Sequence, residues 1–390
     1  MKCKKCGKEI ISKAKFCKYC GVLTGQGVLK NVKSIEVAAA SPVKSTMRPS
    51  GIVIAVVFIV ALVFVIFFTG KGQTKLQFSV PSLPEVGGCG TTPNDTGKVA
   101  GADVRELEIN APFEEPFDIA VTGDGSELFV ADDGKGAVFM FARTGEGVYK
   151  LRNTIVLAGR DSEKLKGQPC YVTIDEKGKK IFVVDCGNGT LSEYNWNGAF
   201  KKRLAKSDYL SGTRSIRYQA YRGGTLVTSV PPYNDAVLYN TNGTINKEFV
   251  LPSGTQCNNF RQPCYAVIDS SGRLFVEDAE NKATKIFKLP EMKFERAIRN
   301  EGCSTIKGPQ IVLFDDAKIP FFARTSQHTN AIVFSLKDGS KSAAVSLTTD
   351  RAIGFDSPTA MAADASGNIY VISPDSKKVV MVKLSGSVFK

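Results

Sequence analysis

The sequence is poor in the residues that most enzyme sites need. It has one histidine, His328, and one tryptophan, Trp196, among 390 residues. A single histidine excludes a metal site built from several imidazoles, and no Ser–His–Asp order, phosphate-binding loop or dinucleotide fingerprint is recognisable. We therefore expect His328 to be an ordinary surface side chain, and the sequence offers no motif that predicts catalysis.

An excess of positive charge is absent from most of the chain, although the net charge is +13. Residues 1–50 contain eleven Lys or Arg and two Glu, whereas residues 51–390 contain 40 basic and 36 acidic side chains. The basic character therefore belongs to the N-terminal tail, where it is typical of a segment that flanks a membrane span. Nucleic-acid binding by this tail stays an alternative, and it would be sensitive to salt.

One long apolar run interrupts the chain. Residues 51–70 read GIVIAVVFIVALVFVIFFTG without a charge, and twenty helical residues span roughly 30 Å, the thickness of a bilayer core. A cleaved signal peptide would have a short leader and a small-residue cleavage site, but fifty residues precede this run. The excess of Lys and Arg before the run predicts a single-pass cell-membrane protein with a cytoplasmic N-terminus.

Four cysteines form two close pairs before this run: Cys3 with Cys6, and Cys17 with Cys20. Four thiolates at this spacing make a closed tetrahedral site, so we expect a structural Zn²⁺ that holds together a segment too short for a hydrophobic core. Residues 15–21, KFCKYCG, resemble the short zinc ribbons at the N-termini of many prokaryotic membrane proteins. The resemblance implies a small cytoplasmic module that could contact a protein partner.

The first hundred residues thus divide into four predicted segments. They are a zinc ribbon (1–21), a flexible cytoplasmic linker (22–50), a transmembrane helix (51–70) and an extracytoplasmic stalk (71–98) rich in Pro and Gly.

Six cysteines follow the apolar run, on the side of the membrane where disulfides persist. If Ile174 and Ile181 flank a hairpin turn, Cys170 lies nearly opposite Cys186, which predicts a bridge between them. Cys257–Cys264 would then close a small loop, and Cys89–Cys303 remains by elimination. Buried free thiols are the alternative for all six.

The rest of the chain is a repeat with a period of about fifty residues. Each copy has a short apolar strand, a polar turn and a second apolar strand, and five copies open on Pro116, Pro169, Pro263, Pro309 and Pro358. Each unit divides into four predicted strands, which in the first copy are Phe117–Val121, Leu128–Ala131, Ala137–Arg143 and Tyr149–Leu157, separated by Gly or Asp turns. A degenerate copy from Arg214 to Val230 fills the one double gap. Six copies of this length predict a propeller, and we expect Ala102–Ile109 to complete the last blade.

The sixth copy, residues 357–371 (SPTAMAADASGNIYV) followed by KVVMVKL, resembles the NHL-repeat family of six-bladed propellers. The resemblance implies an all-β, six-bladed β-propeller over residues 99–390. It does not imply one activity, because NHL-type propellers bind proteins, RNA or glycans, and their relatives include lactonases and an amidating lyase.

Strand parity predicts that acidic loops from five of the six copies meet on one face of this propeller. The candidate ligand-face residues are Asp132, Asp133, Asp185, Tyr233, Asp235, Asp278, Glu280, His328 and Asp375. They could bind a cation, an amine or a sugar at the mouth of the channel. Alternatively, each Asp accepts hydrogen bonds from its own turn. Trp196 could stack on a sugar or cover a strand edge.

The sequence therefore predicts a membrane-anchored binding or scaffold protein whose propeller presents a loop-built face to an envelope protein, a glycan or a small ligand. The alternative is a metal-dependent hydrolase or lactonase of the gluconolactonase-like type, which would place a divalent ion among the acidic side chains.

Overall fold

The computed structural model describes residues 96–98, 102–157, 167–207, 210–211, 215–219, 225–230, 235–240, 242, 244–250, 260, 263–278, 281–299, 311–314, 321–326, 330–348 and 354–384. All of them fall in one compact unit of the chain. Within these ranges short strands form six sheets, and residues 210–211 are helical.

Three short strands come first, and they join three different sheets. They are β1 (Thr96–Lys98), β2 (Ala102–Glu106) and β3 (Glu108–Ile109). The first sheet then follows as β4 (Pro116–Val121), β5 (Glu127–Asp132), β6 (Ala137–Gly145) and β7 (Val148–Val156). The second sheet contains β8 (Pro169–Asp175), β9 (Lys180–Asp185), β10 (Thr190–Asn195) and β11 (Phe200–Lys206).

The third and fourth sheets repeat this plan. The third contains β12 (Ser215–Gln219), β13 (Thr225–Val230), β14 (Asp235–Asn240) and β15 (Ile245–Val250). The fourth contains β16 (Pro263–Ile268), β17 (Arg273–Asp278), β18 (Ala283–Lys288) and β19 (Lys293–Arg299).

The fifth sheet contains β20 (Ile311–Phe314), β21 (Phe321–Ser326), β22 (Ala331–Leu336) and β23 (Ser342–Ser346). The sixth contains β24 (Ala360–Ala363), β25 (Ile369–Ser373) and β26 (Lys378–Leu384). Consecutive strands of every sheet pair antiparallel.

The sheets surround a common centre. The first strand of each sheet contacts the first strand of the next, from β4 through β8, β12, β16, β20 and β24, and β24 contacts β4 again. Apolar side chains fill the spaces between neighbouring sheets, as Phe129 and Val138 of the first do with Val172 and Val183 of the second. This arrangement is an all-β, propeller-like fold, as the repeat predicts.

The strands β1, β2 and β3 form an N-terminal strap over the outer edges of three consecutive sheets. β1 pairs parallel with β23 of the fifth sheet, β2 antiparallel with β26 of the sixth, and β3 parallel with β7 of the first. The expectation that Ala102–Ile109 completes the last sheet is confirmed for β2, while β3 extends the first sheet instead. The last three residues of the predicted stalk (71–98) form β1. This strand pairs with β23 and so belongs to the fifth sheet.

Several predicted features lie outside the described residues. These are the zinc ribbon with Cys3, Cys6, Cys17 and Cys20, the linker, the apolar run 51–70, and the residues Cys89, Tyr233, Cys257, Glu280, Cys303 and His328. In the part of the chain that the structure describes, no helix is both long and apolar enough to cross a bilayer.

Candidate functional site

The predicted ligand face is the side of the ring on which the first strand of each sheet begins and the second strand ends. We call this side the upper face. It carries the turns between second and third strands and the connections between successive sheets, and Asp132, Asp185 and Asp278 end the second strands there.

Asp132 is fully buried and points into its own loops. Its Oδ2 accepts a hydrogen bond from the backbone N–H of Glu114 at 2.8 Å, and its Oδ1 accepts from the backbone N–H of Glu115 at 3.0 Å and of Lys135 at 2.9 Å. One carboxylate therefore ties the connection before the first sheet to the turn between β5 and β6.

Asp185 does the same in the second sheet. Its Oδ1 accepts from the backbone N–H of Gln168 at 3.2 Å and of Asn188 at 2.9 Å, and its Oδ2 accepts from the Asn188 side chain. The turn-binding alternative for the acidic residues thus describes both Asp132 and Asp185.

Asp278 is bound differently, because the fourth sheet contains a buried lysine. Lys285 Nζ lies 2.7 Å from Asp278 Oδ2, and both side chains are fully buried. The side chain of Asn281 donates to the same oxygen at 2.7 Å. Burial lowers the pKa of Lys285, an effect that the charge of Asp278 opposes.

The remaining described candidates have other environments. Asp375 is exposed, and Ser373 ends the second strand of its sheet in place of an aspartate. Asp133 is buried beside Asp132, and its backbone N–H donates to Glu115 O at 3.0 Å. Asp235 begins β14, opposite Val230 and Val250.

A buried ion pair that the sequence did not suggest crosses the centre of the ring. Arg217 of β12 binds Asp118 of β4 through two hydrogen bonds, Nη1 to Oδ2 at 3.0 Å and Nη2 to Oδ1 at 3.1 Å. The Asp118 side chain is fully buried and that of Arg217 is 12% exposed. Such a bidentate pair is among the strongest polar contacts in proteins.

Other sheets complete this central group. Asp118 Oδ2 also accepts from the backbone N–H of Val172 in the second sheet at 3.0 Å, and Arg217 Nη2 approaches Met361 O in the sixth at 3.4 Å. Burial by itself would lower the pKa of Arg217, but the Asp118 carboxylate raises it above the ordinary value. The guanidinium therefore stays charged. The Arg217–Asp118 pair connects sheets one and three, with a contact from Asp118 to the second sheet and one from Arg217 to the sixth.

Tyr265 of the fourth sheet lies against this pair. The Arg217 Cζ atom is 5.4 Å from the centroid of the Tyr265 ring. Burial raises the pKa of Tyr265 to about 12, although the positive charge of Arg217 opposes the shift. The phenol is thus protonated at neutral pH.

One position of the repeat carries a sequence signal for the Arg217–Asp118–Tyr265 group. Asp118, Tyr171 and Tyr265 each stand just after a bulge in the first strand of their sheets, opposite the next-to-last residue of the second strand. Asp118 is the charged residue at a site that is aromatic in two other copies. Its partner lies in the degenerate third copy, where the alignment of repeats is poorest.

Disulfide bonds also stabilise the upper face. Cys170 and Cys186 form a disulfide with their Cα atoms 5.9 Å apart, in the pairing that the hairpin register suggested. Cys264 is disulfide-bonded as well, to a partner outside the described residues. The partners expected for Cys257, Cys89 and Cys303 stay predictions.

Trp196 lies away from the upper face, between the first two sheets. Its Nε1 donates to Glu127 at 2.6 Å, its ring meets Phe129 edge-on, and Lys179 Nζ stands 4.6 Å from the ring centroid. The ring therefore packs in the space between two sheets, and both of its predicted roles, sugar stacking and covering a strand edge, stay predictions.

Among the described residues no group of three or more His, Cys, Asp or Glu side chains is arranged to hold a metal ion. The carboxylates of Asp132, Asp185 and Asp278 bind backbone N–H groups, an amide or an ammonium group. These hydrogen bonds fix the conformation of the loops on the upper face.

Comparisons with known proteins give the fold. No family model matches the chain, and no curated protein matches it. A solved structure of streptogramin B lyase is similar over 74% of this chain and all of its own length, with a TM-score of 0.54 and 11% identity.

Two further solved structures are similar at lower scores. Virginiamycin B lyase from Staphylococcus aureus has a TM-score of 0.49 at 13% identity, over 73% of this chain and all of its own. A nidogen/laminin complex has a TM-score of 0.46 at 16% identity, over 59% of this chain and 79% of its own. At these identities the likeness to the streptogramin B lyase structure shows the β-propeller fold alone.

Proposed function

We propose that this protein is a membrane-anchored binding protein whose six sheets are the blades of an NHL-type propeller. The propeller lies outside the cell membrane and presents its upper face to an envelope protein or a glycan. The zinc ribbon of residues 3–21 and the linker that follows it lie in the cytoplasm, where they contact a protein partner.

The observation that carries this proposal is the internal bonding of the upper face. Asp132 and Asp185 tie turns and inter-sheet connections to strand ends, and a disulfide joins Cys170 to Cys186 beside them. Loops held in this way are already in one conformation before binding, which lowers the entropy cost of association. Preformed loop surfaces on rigid scaffolds are typical binding sites.

The disulfides also support the proposed topology. Such bonds persist in extracytoplasmic compartments and are reduced in most cytosols. Their presence in the propeller agrees with a chain that crosses the membrane once between its N-terminal thiols and this domain.

A photo-crosslinking residue placed at exposed Asp375 of the upper face tests the binding role in whole cells. We expect it to capture one envelope protein or glycan, whereas the same residue at exposed Lys177, in the turn between β8 and β9, captures none. Equal capture at both positions would contradict a specific upper face.

The hydrolase alternative makes a different prediction. Thermal unfolding of the full-length chain in detergent should be indifferent to added Ca²⁺ if the acidic face is a scaffold. A stabilisation that disappears in Asp185→Ala or Asp278→Ala would favour a bound cation and a metal-dependent reaction.

The anchor and the ribbon have separate tests. Protease added to intact cells should digest the propeller and spare residues 1–50. Metal analysis of the full-length protein should find one zinc per chain, and the variant Cys3→Ser/Cys17→Ser should lose it.

A further inference from the structure

The outermost strand of the second sheet is unusually basic. β11 reads FKKRLAK, and its first four side chains and Lys206 are exposed. No other described fourth strand carries as many cations. β15 has one Lys and one Glu, β19 has three cations and one Glu, β23 has no charge, and β2 has one Arg with two acids.

The fourth strand of the first sheet extends this surface. Arg152 of β7 donates to Trp196 O at 3.0 Å, and the Asn153 side chain donates to Asn197 O. β7 therefore lies against the turn that begins β11. Together the two strands form what we call the basic rim: Lys150, Arg152, Lys201, Lys202, Arg203 and Lys206.

The rim keeps most of its positive charge. Glu193 pairs with Lys201 at 2.8 Å and with Lys202 at 3.7 Å, yet those two lysine side chains remain 47% and 46% exposed. Glu127 pairs with Arg152 at 3.0 Å. Six cations thus face two carboxylates, and the ammonium groups remain accessible to an external anion.

Apolar side chains accompany the charge. Within the described residues three large apolar side chains are exposed, namely Leu151 (45%), Val156 (73%) and Phe200 (60%), and all three belong to β7 or β11. Phe200 leans on Tyr194 with ring centroids 5.6 Å apart. Basic residues beside exposed aromatic and aliphatic groups are typical of surfaces that rest in a lipid headgroup layer.

We propose that the basic rim docks on the anionic phospholipid surface of the membrane in which the chain is anchored, so that the propeller lies with its first two sheets against the bilayer. This inference rests on the proposed membrane anchor. Lysines on an edge strand also discourage pairing between chains, but that role does not require the exposed Phe200 and Leu151 beside them.

Lysine footprinting of the full-length chain in nanodiscs tests the proposal. Acetylation of Lys150, Lys201 and Lys202, read by mass spectrometry, should be about threefold slower in anionic than in neutral nanodiscs, because each cation near such a surface is attracted to it. Lys288 and Lys293, exposed on the fourth sheet, should react equally in both. High salt should restore the reactivity of the rim.

A matched pair of variants identifies the surface. Arg203→Gln/Lys206→Gln keeps the two lysines that pair with Glu193, and it should abolish most of the protection of the rim lysines. Lys288→Gln/Lys293→Gln, which removes the same number of charges, should leave that protection unchanged.

Several results would overturn the docking. These are equal acetylation of the rim in neutral and anionic nanodiscs, equal slowing of rim and control lysines, and protection that appears only when an acidic protein or a nucleic acid is added. A chain that does not co-purify with nanodiscs would contradict the anchor instead. If that chain still binds anionic vesicles, the result supports docking by the basic rim. If it does not bind them, the docking proposal is wrong.

Discussion

Removing one partner of the buried pair between Arg217 and Asp118 should destabilise the ring, because the other charge stays buried. The variant Arg217→Met keeps the length of the side chain and removes its charge. It leaves the fully buried Asp118 carboxylate without its guanidinium partner.

Loss of one partner from a buried ion pair costs about 3–5 kcal/mol of unfolding free energy, because the other charge stays buried. For a domain of this size, each kcal/mol lowers the midpoint of thermal unfolding by roughly 2–4 °C. We therefore expect Arg217→Met to unfold roughly 6–20 °C below the unmodified chain.

Thermal unfolding of the full-length protein in detergent, followed by circular dichroism in the strand region, measures this loss. Lys135→Met is the control, since its ion pair with Glu114 at 3.3 Å is on the surface and should contribute less than about 1 kcal/mol. The double variant Asp118→Asn/Arg217→Met removes both charges and keeps an acceptor for Val172, so it should recover at least half of the loss.

A midpoint for Arg217→Met within about 2 °C of Lys135→Met would refute the reasoning. So would a double variant as unstable as the two single variants combined, because the cost would then not come from an unpaired buried charge.

The other predictions concern the loops. Reduction of the Cys170–Cys186 bond, or the variant Cys170→Ser/Cys186→Ser, should cost about 3 kcal/mol, the value for a loop of this length, measured by denaturant unfolding with and without reductant. Asp132→Ala should lose about 1–3 kcal/mol because three loop N–H groups lose their acceptor, whereas Asp375→Ala should change stability by less than about 0.5 kcal/mol. Hydrogen bonds from Ser126 and Thr122 lower the pKa of Asp124 to about 2. Its contribution is complete above the unfolded pKa near 4 and is lost as pH falls towards 2, so Asp124→Asn should flatten the acid limb of a pH–stability curve.

Local patterns in the sequence predicted much of the first sheet. Alternation and Gly or Asp turns indicated strands at Phe117–Val121, Leu128–Ala131, Ala137–Arg143 and Tyr149–Leu157, which lie within two residues of β4 to β7 at every end. The same parity placed Cys170 opposite Cys186. These features depend on neighbours along the chain, so a repeat is enough to reveal them.

The central group depends on contacts that no single copy contains. Arg217 and Asp118 are 99 residues apart and meet because the ring brings the first and third sheets together. Likewise, the sequence placed carboxylates on the upper face but could not show that Asp132 turns inward to its loops while Asp375 stays exposed. Side-chain direction at a strand end depends on the bulges and on the donors nearby.

The N-terminal strap sets the order in which the sheets can be completed during synthesis. β2 finds its partner only in β26, and Glu106 meets Lys378 across 272 positions of sequence. A ribosome therefore releases β2 long before its partner exists, so that segment must wait unpaired through almost the whole of translation. A chain that terminates ahead of residue 378 lacks β26, so its β2 has no partner and the sixth sheet stays incomplete.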